Sequence, residues 1–197
     1  MSTDSSKGGI SKASPRFKAR FTGAVYLLYF LTAILAQLLA GRGQTTYALA
    51  ANLVSVAFYL TLTILFYYLF KPVSTIVSLL AAIVGLTGCL ITVLNLFNLA
   101  AQVSPLLFFG PYCLLLGYLI LRSTFLPRIL GALMVLAGLG WLTFLILPAG
   151  SHMTRYIEGL GIVAEALLML WLLTLGVKPE RWSEQAAEVG EERTKLQ

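Results

Sequence analysis

The sequence predicts an all-α, polytopic membrane protein: a six-transmembrane-helix bundle with short loops. Three observations carry that prediction. Of the 197 residues, 58% are hydrophobic and 11% charged, against about 45–50% and about 25% in ordinary soluble domains. The apolar residues fall in long continuous runs rather than alternating with period two, which selects helices over membrane strands. The charges gather at the ends of the chain, so that residues 21–177 hold only seven. These features, with a mean hydropathy of +0.86, exclude a disordered chain, a nucleic-acid-binding domain and a standard cytosolic enzyme.

Residues 1–20 form a polar, basic tail with Lys7, Lys12, Arg16, Lys18 and Arg20 against Asp4. No short apolar region within it ends in a small-residue cleavage site, so the first span is expected to serve as an uncleaved signal-anchor. About 20 apolar residues cross the roughly 30 Å hydrocarbon layer as a helix. Lipid offers backbone amides no partner outside the segment. The runs that meet this requirement are Phe21–Ala40, Ala48–Phe70, Thr75–Ala100, Leu106–Leu121, Pro127–Leu147 and Tyr156–Val177.

The breaks are equally explicit. Gly41-Arg42-Gly43, Lys71-Pro72, Gln102 to Pro105, Arg122 to Arg128 and Pro148 to His152 separate the spans, and Lys178-Pro179 ends the last. Pro105 and Pro127 stand at helix starts, where a missing amide costs nothing. Each connection is short, so consecutive helices are antiparallel neighbours and no loop is large enough for a catalytic domain.

With six spans, twelve Lys and Arg residues fall on the side of both tails, and only Arg42 and Arg155 on the other. By the positive-inside rule both termini are cytoplasmic, in a cell inner (plasma) membrane. The net charge of +6 is then mainly an orientation signal, with the basic tail beside anionic headgroups. Residues 178–197 form a second polar tail, read as a solvated end able to form a short surface helix. Trp182 suits the headgroup zone.

Glu165 is the most informative residue. It lies about 13 Å into the last span at 1.5 Å per residue, where acids are costly and usually face the bundle interior. Glu158 stands seven positions earlier on the same face, with Gly161 between them. The third span offers a matching face through Gly85, Gly88, Thr92, Asn95, Asn98 and Gln102. Gln37, Asn52 and Tyr112 fall in the outer halves of the first, second and fourth spans. The candidate cluster is therefore Glu165, Asn95, Asn98, Tyr112, Gln37 and Gln102, all in the outward half. Two readings compete: an interhelical hydrogen-bond network around a neutral carboxyl, or a pocket open to the outer side or outer leaflet.

Other residues have plainer roles. Gly131 and Gly138, seven apart, and Gly85 and Gly88 let helices approach closely. Cys89 and Cys113 lie inside apolar runs without the spacing of a disulfide framework or zinc site. His152, the only histidine, falls in an external loop, and no multi-histidine metal or haem site is available to one chain. No phosphate-binding loop, dinucleotide fingerprint or H-E-x-x-H is present. The expectation is therefore no cofactor, no metal, no catalytic residue and no nucleic-acid partner.

Several segments carry a family resemblance. They are Arg20 to Leu27, Leu94-Asn95-Leu96-Phe97-Asn98-Leu99, Phe108-Phe109-Gly110, Leu116-Gly117-Tyr118-Leu119-Ile120 continuing through Arg122-Ser123 to Gly131, and the ending Glu165 to Trp171 with Gly176-Val177. Over about Arg20 to Val177 the chain resembles the bacterial domain-of-unknown-function 4386 family. The resemblance implies a multi-span membrane protein without an established molecular activity, with Glu165, Asn95 and Asn98 at recurrent polar positions. The sequence departs from it in a short first external loop, in Gly85 and Gly88 where arginine and glutamine are usual, and in Tyr112 where histidine is usual.

Three functions fit these residues. The first is a non-enzymatic membrane component binding a partner protein or a lipid-like ligand, with a homo-oligomer allowed. The second is a small transporter or permeation unit using the outer polar cluster, which calls for a dimer. The weakest is an intramembrane enzyme acting on a lipid or quinone with Glu165 as acid/base. A sealed cluster favours a structural role, a tunnel through both leaflets favours transport, and a lateral opening favours a lipid ligand.

Overall fold

A computed structural model describes residues 14–99, 103–143 and 152–194. These residues form seven helices and no strand: α1 (Pro15–Gly41), α2 (Thr45–Phe70), α3 (Thr75–Leu96), α4 (Leu106–Arg122), α5 (Arg128–Thr143), α6 (His152–Thr174) and α7 (Pro179–Thr194). Four are long and apolar enough to cross a membrane: α1, α2, α3 and the Tyr156–Thr174 part of α6. The apolar helices α4 and α5, of 17 and 16 residues, reach about 26 and 24 Å at the helical rise.

Helices α1 to α6 pack each on its sequence neighbour, and α1 closes on α6, so the six form a ring. The outside of the ring is greasy. Leu31, Leu35, Ile76, Ile83, Leu90, Leu107, Ile129, Leu136, Val163 and Leu170 are all exposed. A soluble monomer rarely shows more than a few hundred Å² of continuous apolar surface. Leucine and isoleucine facing outward on every one of these helices match a hydrocarbon surround. The interior is aromatic and aliphatic, with Tyr26, Phe66, Phe70, Leu116, Leu119, Ile120, Leu168 and Leu172 buried in one cluster.

Glycines set how closely the helices approach. Gly117 and Gly131 face each other across α4 and α5, each placing a notional Cβ 2.9 Å from the other's carbonyl oxygen. Gly110 and Gly138 repeat the arrangement two turns away, at 3.2 and 2.9 Å. Small residues that allow this approach are how helices associate where burial from water cannot drive them. Gly23 does the same for α1 and α6, since a Cβ there would meet the backbone of Leu172 and Leu173.

The helix ends correct three sequence expectations. The first helix begins at Pro15 rather than Phe21, capped by the Ser14 hydroxyl, which accepts from the Phe17 amide at 3.3 Å. Proline at the first position is pre-set for helix. The extra turn carries Arg20, whose guanidinium donates to the Thr174 carbonyl at 2.8 Å and so caps α6. The third helix stops at Leu96, short of Ala100. Asn98 adopts a positive φ of 58°, and the Leu99 amide donates back to the Leu94 carbonyl at 2.8 Å, a left-handed helix stop that asparagine tolerates.

The third correction concerns the C-terminal tail. It forms the surface helix that the sequence allows, but a docked one rather than a free end: α7 lies across the end of the ring where α1 starts. The Trp182 indole donates to the Leu69 carbonyl at 3.0 Å, and Lys18 stands 5.8 Å from its ring centroid. Gln185 donates to the Arg122 carbonyl at 3.3 Å and accepts from the Thr124 amide at 3.2 Å. The orphan carbonyls at the ends of α2 and α4 thus find donors on α7. Composition hid this, because the docking rests on a few polar contacts and one tryptophan in an otherwise polar helix.

Candidate functional site

Glu165 sits on the inner face of α6 and is buried at 4% exposure. Tyr26 of α1 donates its hydroxyl to Glu165 Oε2 at 2.9 Å. Tyr26 is itself wedged among rings, 5.9 Å edge-on to Phe66 and 5.3 Å from Phe30. One turn before Glu165, Gly161 leaves room for the Trp141 indole of α5, whose Nε1 a Cβ would approach to 2.9 Å. Trp141 packs edge-on against Phe109 of α4 at 5.5 Å. The carboxyl is therefore held between Tyr26 of α1 and Trp141 of α5.

Above it lies a cavity of about 680 Å³ to which all six ring helices contribute. It occupies the end of the ring away from α7, between the second half of α1 and the first half of α6. Glu165 and Trp141 line it together with Tyr29, Phe30, Tyr59, Phe108 and Phe109. Its aromatic wall is continuous: Tyr29 meets Tyr59 at 5.1 Å, and Tyr59 meets Phe109 at 5.9 Å and Tyr112 at 5.8 Å. Ligand sites of this size are mostly apolar with few, placed polar groups. Glu165 is such a group; the Tyr59 hydroxyl is buried in the wall, without a hydrogen-bond partner among the described residues.

The opening of the cavity is sided. Five of its lining residues are exposed, Ile34, Gln37, Leu38, Glu158 and Ile162, and all five belong to α1 or α6. Lining residues of α2, α3, α4 and α5 are buried or half-buried. The two helices touch backbone to backbone at Gly23 and are bridged by Tyr26 and Glu165, and beyond that level their side chains line a void instead of each other. The exposed lining residues thus gather along the seam between α1 and α6. Toward α7 the floor is packed: the void bounded by Thr63, Phe66, Ser78, Ala81, Tyr112 and Leu116 has no room for a water molecule.

The six candidate polar residues are only partly brought together. Gln37 and Glu165 line the cavity at its mouth and its depth. Tyr112 is buried behind the wall, its ring 3.0 Å from where a Gly85 Cβ would stand. Asn95 lies outside the cavity and donates to the Val103 carbonyl at 2.9 Å, stapling the α3–α4 connection. Asn98 stops α3 and is exposed. Gln102 and the Pro148 to Ser151 break lie outside the described residues. Tyr26, Tyr59 and Trp141 belong to the site but were not singled out as candidates; their polar tips inside apolar runs were the available signal. The departures at Gly85, Gly88 and Tyr112 cluster on one wall, since Gly85 and Gly88 line the cavity and Tyr112 backs Gly85.

Residues 100–176 match the family model described as domain of unknown function (DUF4386). The match covers α4 to α6, with Trp141 and Glu165, and is narrower than the Arg20–Val177 resemblance read from the sequence. An uncharacterized protein of the archaeon Archaeoglobus fulgidus is 28% identical over 141 residues, covering 68% of this chain and 86% of that protein. No solved structure matches.

Proposed function

We propose that this chain, similar over α4 to α6 to a family of unknown function, is a six-span membrane component that binds a lipid-like ligand without catalysing a reaction on it. Both termini are cytoplasmic, the cavity lies in the outer half, and ligand enters from the lipid through the α1–α6 seam. The observation that carries the reading is that every exposed residue lining the cavity lies on the two helices of that seam. A ligand dissolved in the bilayer reaches such a door directly, and its tail remains in hydrocarbon while its head reaches Glu165. The packed floor, with no room for water, speaks against permeation through one chain.

The reading is tested by photo-crosslinking. A photoreactive amino acid at Ile162 or Leu38, in the full chain in native membranes, should capture lipid-sized adducts. The same probe at Ile129, exposed but remote from the seam, should capture bulk phospholipid only. Identical adduct spectra at the three positions would remove the ligand-binding reading.

A further inference from the structure

We propose that the ligand is a lipophilic amine, whose protonated amino head meets Glu165 while its apolar body fills the aromatic cavity. This rests on the lateral cavity proposed above and specifies what enters it. Charge is the first argument. Among the described residues the cavity is lined by two carboxyl groups, Glu158 at the mouth and Glu165 at depth, and by no lysine or arginine. An acid inside a membrane protein is usually paired. The partners of Glu165 are neutral donors, the Tyr26 hydroxyl at 2.9 Å and the Trp141 indole, and neither brings a counter-charge. A cationic head supplies the counter-charge that the site lacks.

The walls give the second argument. Tyr29, Phe30, Tyr59, Phe109 and Trp141 all line one space, and a desolvated cation is attracted to aromatic faces. An anionic lipid head fits the same space badly, because among the described residues it would face two acids and no base. A neutral alcohol would bind, but it leaves the carboxyl without a counter-charge. Glu158 at the door adds a step: it meets the amine at the interface before Glu165 receives it.

The experiment compares dodecylamine, dodecanol and dodecanoate, equal in tail length, by native mass spectrometry of the full chain released from detergent. One dodecylamine per chain is expected, retained about tenfold or more over dodecanol, as a charge-assisted bond in place of a neutral one implies. Glu165→Gln should bring amine and alcohol to equal retention. Tyr26→Phe, which leaves the carboxyl in place, should keep the preference for amine. Ile162→Trp, which fills the door, should lower retention of amine and alcohol alike. Equal retention of amine and alcohol by the wild-type chain overturns the amine inference but leaves the lateral cavity standing. Retention of none of the three overturns both. The wild-type comparison decides the matter even if Glu165→Gln fails to fold.

Discussion

Replacing Gly117 with alanine tests the backbone contact on which the α4–α5 pair depends. The added Cβ would lie 2.9 Å from the Gly131 carbonyl oxygen, 2.8 Å from the Val135 amide nitrogen and 2.7 Å from Val135 Cγ2. Two of the three are backbone atoms, so no side-chain rotation relieves the crowding and the helices must separate. Overpacking of this kind costs about 1–3 kcal/mol, a fall of roughly 2–12 °C in melting temperature for a chain of this size. Gly131→Ala meets the Gly117 carbonyl at 2.9 Å and should cost the same. The double variant should cost less than the sum, because the two residues share one contact. Gly159→Ala is the control: it lies in α6 with nothing within 4 Å of its Cβ. Removing an exposed helical glycine should stabilise by about 0.5–1 kcal/mol. Thermal aggregation in detergent, read by fluorescence-detected size exclusion, measures all four. Gly117→Ala melting with the wild type, or Gly159→Ala falling as far as Gly117→Ala, would refute the reasoning.

Four further outcomes are expected. Of the two cysteines, Cys89 lines the cavity and Cys113 is buried outside it, so a small membrane-soluble thiol reagent should modify Cys89 first in intact membranes, read by peptide mapping. Tyr26→Phe removes the donor to Glu165 Oε2 and should lower stability by about 1–2 kcal/mol, measured by the same melting assay. Trp182→Phe keeps an aromatic ring but loses the hydrogen bond to the Leu69 carbonyl, and should cost about 1 kcal/mol while making α7 more open to limited proteolysis. Reporters fused to either terminus should be active only in the cytoplasm, and a C-terminal reporter active outside would invert the topology.

The helices were legible because hydrocarbon imposes length and apolarity on any crossing segment, and Lys71-Pro72 or Lys178-Pro179 punctuate them plainly. Glu165 was legible for the same reason, as an acid where acids are costly. Its surroundings were harder. Asn95 and Asn98 share the periodicity of a cavity-facing stripe, yet one staples the α3–α4 connection and the other ends α3 in a left-handed turn, because the helix stops at Leu96. Side-chain polarity does not distinguish a helix cap from a site. The tyrosines posed the converse difficulty: Tyr26 and Tyr59 count as hydrophobic in a composition, and only the ring closure of α1 on α6 turns the first into the partner of an acid 139 residues away.

That closure has a consequence for how the protein is made. Helices α2 to α6 each pack on the helix that precedes them, so each finds a neighbour already in place as the chain emerges. Only α6 must find α1, and only α7 must find the ends of α2 and α4. Until then the growing chain is an arc whose two edges stay unpaired. On one edge Gly23 holds an empty groove and Tyr26 a free hydroxyl. Glu165 is inserted with the last of the six ring helices, when Tyr26 already waits on the first. A ribosome stalled before residue 165 would therefore leave an assembly intermediate with a sticky edge, the form on which quality-control proteases and insertion chaperones have most to grip.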